Sequence, residues 1–509
     1  MVASILLQGG TVLTHDKHDH VHAAKADLLI EGNLIKKIES GLSPFPGTQV
    51  VDCTDKIISP GFIDTHHHVW QTLLKGRHAN HTLVEYFGPG EQHSIDMKSR
   101  NFAASVHSPK DIFWGELGGA LECLDVGTTT VVDHASVNIS ADHSKAAIAA
   151  TVSSGIRSIF GYCPIAPVEN WKPFTLGQNL LAEWVLKTLE ELGLKSPFGN
   201  GRVQLGLAFD GTYLPKEVLM NLFSKAKAAG VKIITTHYVR AAVPSQAQLK
   251  AIETLHSHGL LDSSILFSHG SNMDPDEAAL LLNTNSHVSV TPSTELQMGH
   301  GEPVAFQSKL GIQSHCSLGI DCHSNNTASI PGEMRLLLQS ARGTYNQPFL
   351  TQSKVPAKVY KTVEEAFNLG TINGARAIGM DDQIGSLAVG KLADLVVFDA
   401  SSPSMVCGAQ HDAVAAVVLH SSPGDIEMVV VDGVVRKQGT RLSAVDVAAG
   451  RGLWAGEERD ILEWADVARI LVERREVLQE TLEKIDYDEA KAGVIRAFYV
   501  NERNIVDSL

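Results

Sequence analysis

The chain has 509 residues, of which 44% are hydrophobic and 19% charged, and its formal net charge is −15. That length asks for two or three domains with separate cores. The negative balance argues against nucleic-acid and anionic-membrane partners, which need concentrated positive charge. The six cysteines are scattered with no C-x-x-C, a pattern of free thiols in a reducing compartment. No basic stretch opens the chain as in a signal peptide, and no apolar run reaches the length of a membrane span, so the expected address is cytoplasmic. In chain order, residues 5–12, 27–31 and 34–38 read as short strands, with 16–22 as a polar hairpin loop. His15, His18, His20 and His22 lie in or beside that loop and read as surface groups.

From residue 59 to about 383 strands and helices alternate. Candidate strands cover 61–66, 128–134, 156–162, 203–209, 231–237, 265–269, 287–291 and 317–321. Helical patterns fill 112–125, 145–153, 180–192, 215–229, 247–258 and 275–282. This alternation predicts an α/β fold, a (β/α)8 TIM barrel. Residues 384–445 return to β character, including a stretch at 414–419. They are expected to join residues 1–58 in a small discontinuous β-sandwich. Residues 446–509 form a C-terminal extension, helical over 453–485, that packs on the barrel or on a partner subunit.

The first barrel strand ends in Asp64-Thr65-His66-His67-His68. On an extended strand, side chains two apart share a face. His66 and His68 therefore project together, with His67 turned away. The strands at 231–237, 265–269 and 317–321 end in His237, His269 and Asp321. Barrel enzymes build their sites at the C-terminal strand ends, and one such residue is most simply a satisfied structural group. Four strands ending this way at one rim point to a metal centre. Neutral imidazoles with a carboxylate suit Zn²⁺ or Fe²⁺ and leave a position for water. A carboxylate beside that water can act as general base, and Asp321 is placed for it. His269 is placed either as a ligand or as a donor to the group under attack.

These residues resemble the amidohydrolase superfamily, in the branch of triazine chlorohydrolases, cytosine and guanine deaminases and adenosylhomocysteine deaminases. The likeness is carried by P-G-F-I-D-T-H-H-H at 60–68, L-K-G at 74–76, T-T-H-Y at 235–238, S-H-G at 268–270, T-P-S at 291–293 and G-I-D-C-H-S-N-N at 319–326. T-I-N-G-A-R-A-I-G-M at 371–380 and I-G-S-L-A-V-G-K-L-A-D-L-V-V-F-D at 384–399 complete it. The resemblance implies His66, His68, His237 and Asp321 as metal ligands, with Asp321 also the general base. It implies that His269 hydrogen-bonds the water or substrate. No lysine stands on the fourth strand, so a single divalent metal is expected, Zn²⁺ first and Fe²⁺ as the alternative.

One position departs from the deaminases. Three residues after His237 they carry a proton-shuttling glutamate, whereas this chain has Arg240. Arginine does not give up its proton at working pH. Arg240 either binds a substrate carboxylate or phosphate through its planar fork or forms a structural ion pair. Glu295 is a candidate to replace the missing glutamate or to pair with Arg240, and the plainer reading is a loop carboxylate facing solvent. His300 and His323 are candidate substrate contacts. Trp70, Trp114 and Phe209 read as core, and Asn325 and Asn326 as loop-fixing groups.

The expected activity is metal-dependent hydrolysis of a C–N bond (amide, lactam or amino-heterocycle) in a small molecule, outside ordinary nucleobase deamination. A metal-dependent C–C hydrolase, decarboxylase or lyase on an anionic substrate held by Arg240 is the alternative. A non-catalytic binding protein of the same fold is a second. A homo-oligomer, dimer or tetramer, is expected.

Overall fold

A computed structural model describes residues 4–83, 102–240 and 250–486, with positions 489 and 492. Eight parallel strands follow one another in chain order: Phe62–His67, Thr128–Ala135, Arg157–Tyr162, Val203–Ala208, Ile234–Val239, Ile265–Ser271, His287–Val290 and Cys316–Leu318. The ring closes where His67 bridges Asp321 in parallel. There the His66 carbonyl accepts from the amides of Ile320 and Asp321 at 3.0 and 2.8 Å. The predicted TIM barrel is thus present, with its eighth strand shorter than the sequence suggests.

The first three strands are buried along their whole length, as parallel strands covered on both faces must be. Inside the barrel Thr65 Oγ1 meets Ser289 Oγ and Ser317 Oγ, each at 2.7 Å, and donates to the Leu318 carbonyl at 2.9 Å. This polar layer ties strands one, seven and eight together beneath the rim.

The helix Pro109–Asp125 starts earlier than its apolar pattern, because Ser108 and Asp111 form a reciprocal capping box and Pro109 suits the first turn. It packs on the turn after the first strand. A Cβ on Gly119 would lie 2.3 Å from the Val69 carbonyl oxygen, so only glycine permits that approach. The helix is one wall behind the histidine-bearing strand.

Both chain ends contribute to a second sheet. Strand Lys56–Pro60 pairs in parallel with Ser4–His15 and antiparallel with Leu395–Asp399, which continues to Ile426–Val431 and Val434–Gln438. This sheet has its own core of Leu7, Leu28, Ile58, Leu395 and Val430, among others. Arg157, at the start of the third barrel strand, locks the two units. Its Nε and Nη2 donate to Asp394 at 2.6 and 3.1 Å, and Nη2 also reaches Asp432 at 3.2 Å.

Two expectations are corrected, and a third falls partly outside the described residues. Residues 414–419 are helical, in Ala413–Ala415 and the wider turn Ala416–His420, because the Asp412 carboxylate caps the amides of Val414 and Ala415 at 2.9 Å. The C-terminal helix begins at Trp464, where Glu463 and Asp466 cap it, and runs to Leu482. The helix expected over 247–258 is described as Ala251–Ser257, while 247–249 lie outside the described residues. Among the described residues no helix is long and apolar enough to cross a membrane.

Candidate metal centre

His66 and His68 reach the rim on the first strand and the residue after it. Their Nε2 atoms both lie 3.2 Å from one oxygen, Asp321 Oδ1. His237 comes from the fifth strand, its ring 4.9 Å from that of His66 and 5.4 Å from that of His68. His269, from the sixth strand, lies 5.4 Å from His66 and 5.6 Å from His237, ring to ring. One atom each from His66, His237, His269 and Asp321 fall within 4.8 Å of one another.

The outer faces of these rings decide whether a cation fits. His66 Nδ1 meets Ser268 Oγ at 2.8 Å, and His68 Nδ1 donates to the His134 carbonyl at 2.8 Å. His237 Nδ1 faces both oxygens of Asp210 at 3.0 Å. An imidazole whose Nδ1–H is donated keeps its Nε2 lone pair. The Nε2 atoms of His66 and His68 meet at Asp321 Oδ1 as candidate ligands, and the donor set is one that suits a nitrogen-rich divalent site. His269 Nε2 is buried with no hydrogen-bond partner among the described residues, an orphan that a bound ion or a group reacting beside it would satisfy. Burial holds His66 well below the ordinary histidine range, against the opposing pull of Asp321, and keeps it neutral, as a ligand must be.

Two of these residues hold left-handed backbone, with φ of 75° at His269 and 64° at Asp321. Both are non-glycine residues in a sparsely populated region, a form of strain that accumulates at functional sites. The chain holds Asp321 from both sides of its peptide unit. Asp321 N–H is held by the His66 carbonyl, and the His68 amide is held by the Asp321 carbonyl at 2.9 Å. The close packing extends to Gly319, where a Cβ would lie 2.7 Å from the His66 carbonyl oxygen.

The remaining candidates divide. Glu295 is not solvent-facing and does not meet Arg240. It is buried, accepts from the Thr291 amide at 2.8 Å, and lies 3.6 Å from His269 Nδ1. Thr291 Oγ1 sits 2.8 Å from the same Nδ1. Glu295 thus backs His269; burial raises its pKa, with His269 opposing. His300 is buried edge-on to His269, their rings 5.0 Å apart.

Arg240 is engaged by two carboxylates. Its Nη1 and Nη2 donate to Asp274 and Glu277 at 3.1 Å each. Those two carboxylates also cap the helix Pro275–Thr284, so the fork braces that helix. His323 is engaged by His67 and Glu122. It is fully buried with Nδ1 at 2.9 Å from His67 Nε2 and Nε2 at 3.2 Å from Glu122, because the loop after the eighth strand turns it behind the first strand. Trp70, Trp114 and Phe209 are core, and Asn326 ties its loop to the Ile320 carbonyl at 3.1 Å.

Sequence reasoning passed over three groups. Asp64 accepts from the amides of His66 and Ile320 at 3.2 Å each and pairs with His67 Nδ1 at 2.7 Å, knitting strands one and eight from inside. Asp210 and His134 stand behind His237 and His68. The signal for Asp210 was available, since it is the first charged group after the fourth strand, where only a lysine was sought.

A family model described as the amidohydrolase family matches residues 57–436. The chain belongs to the amidohydrolase family. As an amidohydrolase it is a metal-dependent hydrolase. It is 24% identical over 461 residues to a 5-methylthioadenosine/S-adenosylhomocysteine deaminase of Pyrococcus abyssi, covering 87% of this chain and 96% of that one. It is 28% identical over 457 residues to a 5'-deoxyadenosine deaminase of Methanosphaera stadtmanae, covering 87% and 95%. Among solved structures, an adenosine deaminase of Xanthomonas campestris with bound zinc matches with a TM-score of 0.74 at 19% identity, over 94% of this amidohydrolase and 99% of that chain. An atrazine chlorohydrolase of Arthrobacter aurescens complexed with zinc matches with a TM-score of 0.71 at 19% identity, over 93% and 100%.

Proposed function

We propose that this amidohydrolase hydrolyses a C–N bond of a neutral small molecule, a lactam, amide or amino-heterocycle whose carbon is already electrophilic. His66, His68, His237 and Asp321 hold one divalent metal, zinc in this reading, with His269 within reach of it. The observation that carries the reading is the convergence of these donors, their outer ring nitrogens engaged by Ser268, the His134 carbonyl and Asp210. The zinc bound in both solved relatives agrees with it. When bound, the metal supplies the Lewis acidity that brings a water's pKa toward neutrality.

Asp321 accepts the proton of the attacking water and passes it to the leaving nitrogen. Oxygen stays on the carbon and the C–N bond breaks; ammonia or an amine departs, or in a lactam the ring opens and the amine stays attached. His269, its Nδ1 against Thr291 and Glu295, presents Nε2 to the reacting group and steadies the charge that develops there. Arg240 takes no part, since its fork is committed to Asp274 and Glu277. With no acid at that position to protonate a ring nitrogen, the route of ordinary nucleobase deamination lacks a member. The same commitment removes the anchor that an anionic substrate would need, which weighs against decarboxylase and lyase chemistry.

The test is an ammonia- and amine-release screen over neutral amides, lactams and aminated heterocycles, with metal analysis of the same preparation. Turnover in at least one class with about one zinc per chain is expected. Turnover confined to carboxylate-bearing substrates would overturn the reading.

A further inference from the structure

Asp210 lies two residues beyond the fourth barrel strand, Val203–Ala208, and its carboxylate is surrounded by donors. It accepts from the His237 backbone amide at 2.9 Å and faces His237 Nδ1 at 3.0 Å through both oxygens. Thr236 Oγ1 stands 3.4 Å from Oδ1, and His134 Nε2 3.5 Å from Oδ2. His134 is fully buried at the end of the second strand, and its own carbonyl accepts from His68 Nδ1 at 2.8 Å. One residue thus touches the outer face of two candidate ligands, His68 through its backbone and His237 through Asp210.

We propose that His134 and Asp210 are positioning residues that fix the ring orientation and tautomer of His237, so that its Nε2 is presented to the metal. The proposal rests on the metal reading given above. Three features favour it. The bond to the His237 amide fixes the carboxylate to the same residue whose ring it holds, so ring and backbone move together. An anionic acceptor on Nδ1–H makes the imidazole a stronger ligand, and such outer partners carry about 10–100-fold in metal affinity. Thr236 Oγ1 at 3.4 Å and His134 Nε2 at 3.5 Å hold the same carboxylate from its other sides.

A rival assignment uses the same atoms. His134, Asp210 and His237 each offer a ligand atom within 4.8 Å of the others, the outline of a second cation site. That site would take His237 Nδ1 while the first takes Nε2, which requires a doubly deprotonated, bridging imidazolate. The near-equal contacts of Nδ1 with both carboxylate oxygens are those of a donated N–H, and they favour the positioning role.

The test compares the full-length wild type with Asp210→Asn, Asp210→Ala and His134→Gln. Each is stripped of metal and titrated with zinc against a chromophoric chelator, then loaded with Co²⁺ for its visible absorption spectrum. Asp210→Asn should keep the apo-protein's unfolding midpoint, bind zinc about 10–100-fold more weakly and shift the cobalt bands. His134→Gln, which keeps the carbonyl to His68, should move both readouts in the same direction by less. If Asp210→Ala fails to fold, the other two variants decide. Wild-type zinc affinity and cobalt spectrum in Asp210→Asn would overturn the proposal. Two metals per wild-type chain falling to one in Asp210→Asn would also overturn it, making Asp210 a direct ligand. A wild type that takes up no metal overturns the metal reading itself, and this inference with it.

Discussion

Arg240 donates to Asp274 and Glu277 through separate guanidinium nitrogens at 3.1 Å each, and the Glu277 side chain is almost fully buried. The deaminase glutamate would stand at this position in sequence. Here the position serves a helix. Arg240→Gln leaves Glu277 without its cation and should lower stability by roughly 1–3 kcal/mol, since hydrogen bonds to charged groups lie in that range and the guanidinium is partly solvated. Its effect on turnover should be equal for neutral and carboxylate-bearing analogues. A selective loss on the carboxylate series would restore Arg240 as an anion contact.

Asp321 is asked both to complete the metal site and to carry a proton. His66→Ala removes a converging ring nitrogen and should yield protein with little bound metal by elemental analysis. Asp321→Asn keeps an oxygen donor but no base. It should still bind substrate while kcat falls by about 10²–10⁴-fold, the usual worth of a positioned acid–base group. Retained turnover in Asp321→Asn would move the base elsewhere, and Glu295 is then the next group to test.

The strand-end rule made the barrel and its rim readable, because a buried parallel strand is an apolar run and the first polar group after it marks the mouth. His66, His68, His237, His269 and Asp321 stand at or just beyond the ends of such strands. What stayed hidden depends on contacts distant in sequence. The partners of Arg240 lie 34 and 37 residues further on, in a capping box whose sequence spacing says nothing about an arginine. The contact of His323 with His67 crosses 256 residues. Residues 414–419 misled because a β-branched run reads as strand, whereas the Asp412 cap made it helical.

Gly319, just after the eighth strand, lies against the first strand at His66. A methyl group there would meet the His66 carbonyl oxygen at 2.7 Å and Ser289 Oγ at 2.7 Å, and neither backbone nor packed hydroxyl has room to yield. Gly319→Ala should cost roughly 1–3 kcal/mol of stability, as overpacking does. It should also weaken zinc binding, because the strain falls on the strand that presents His66 and on the turn that presents Asp321. Chemical denaturation and zinc titration of the same variant check the two effects. Lost stability with unchanged zinc affinity would show that the strands adjust away from the rim.

His287, at the start of the seventh strand, gives a pH dependence that can be isolated from the site. Burial, reinforced by the stacked His315 ring 5.1 Å away, pushes its pKa down to about 4. The unfolded chain takes up its proton near the ordinary ~6.5, whereas the folded chain does not until about 4. The unfolded state therefore binds more protons across this window. The stability that His287 contributes is intact above pH ~6.5 and is lost as pH falls toward 4, by at most about 3 kcal/mol. Buried carboxyls such as Glu333, raised to about 7 chiefly by burial, act in the opposite sense, so the total profile mixes both. The difference between wild type and His287→Gln removes that background. Urea unfolding at several pH values from 4 to 7.5 should show the two proteins converging as the pH falls. A gap that stays constant across the range would mean that His287 titrates alike in both states.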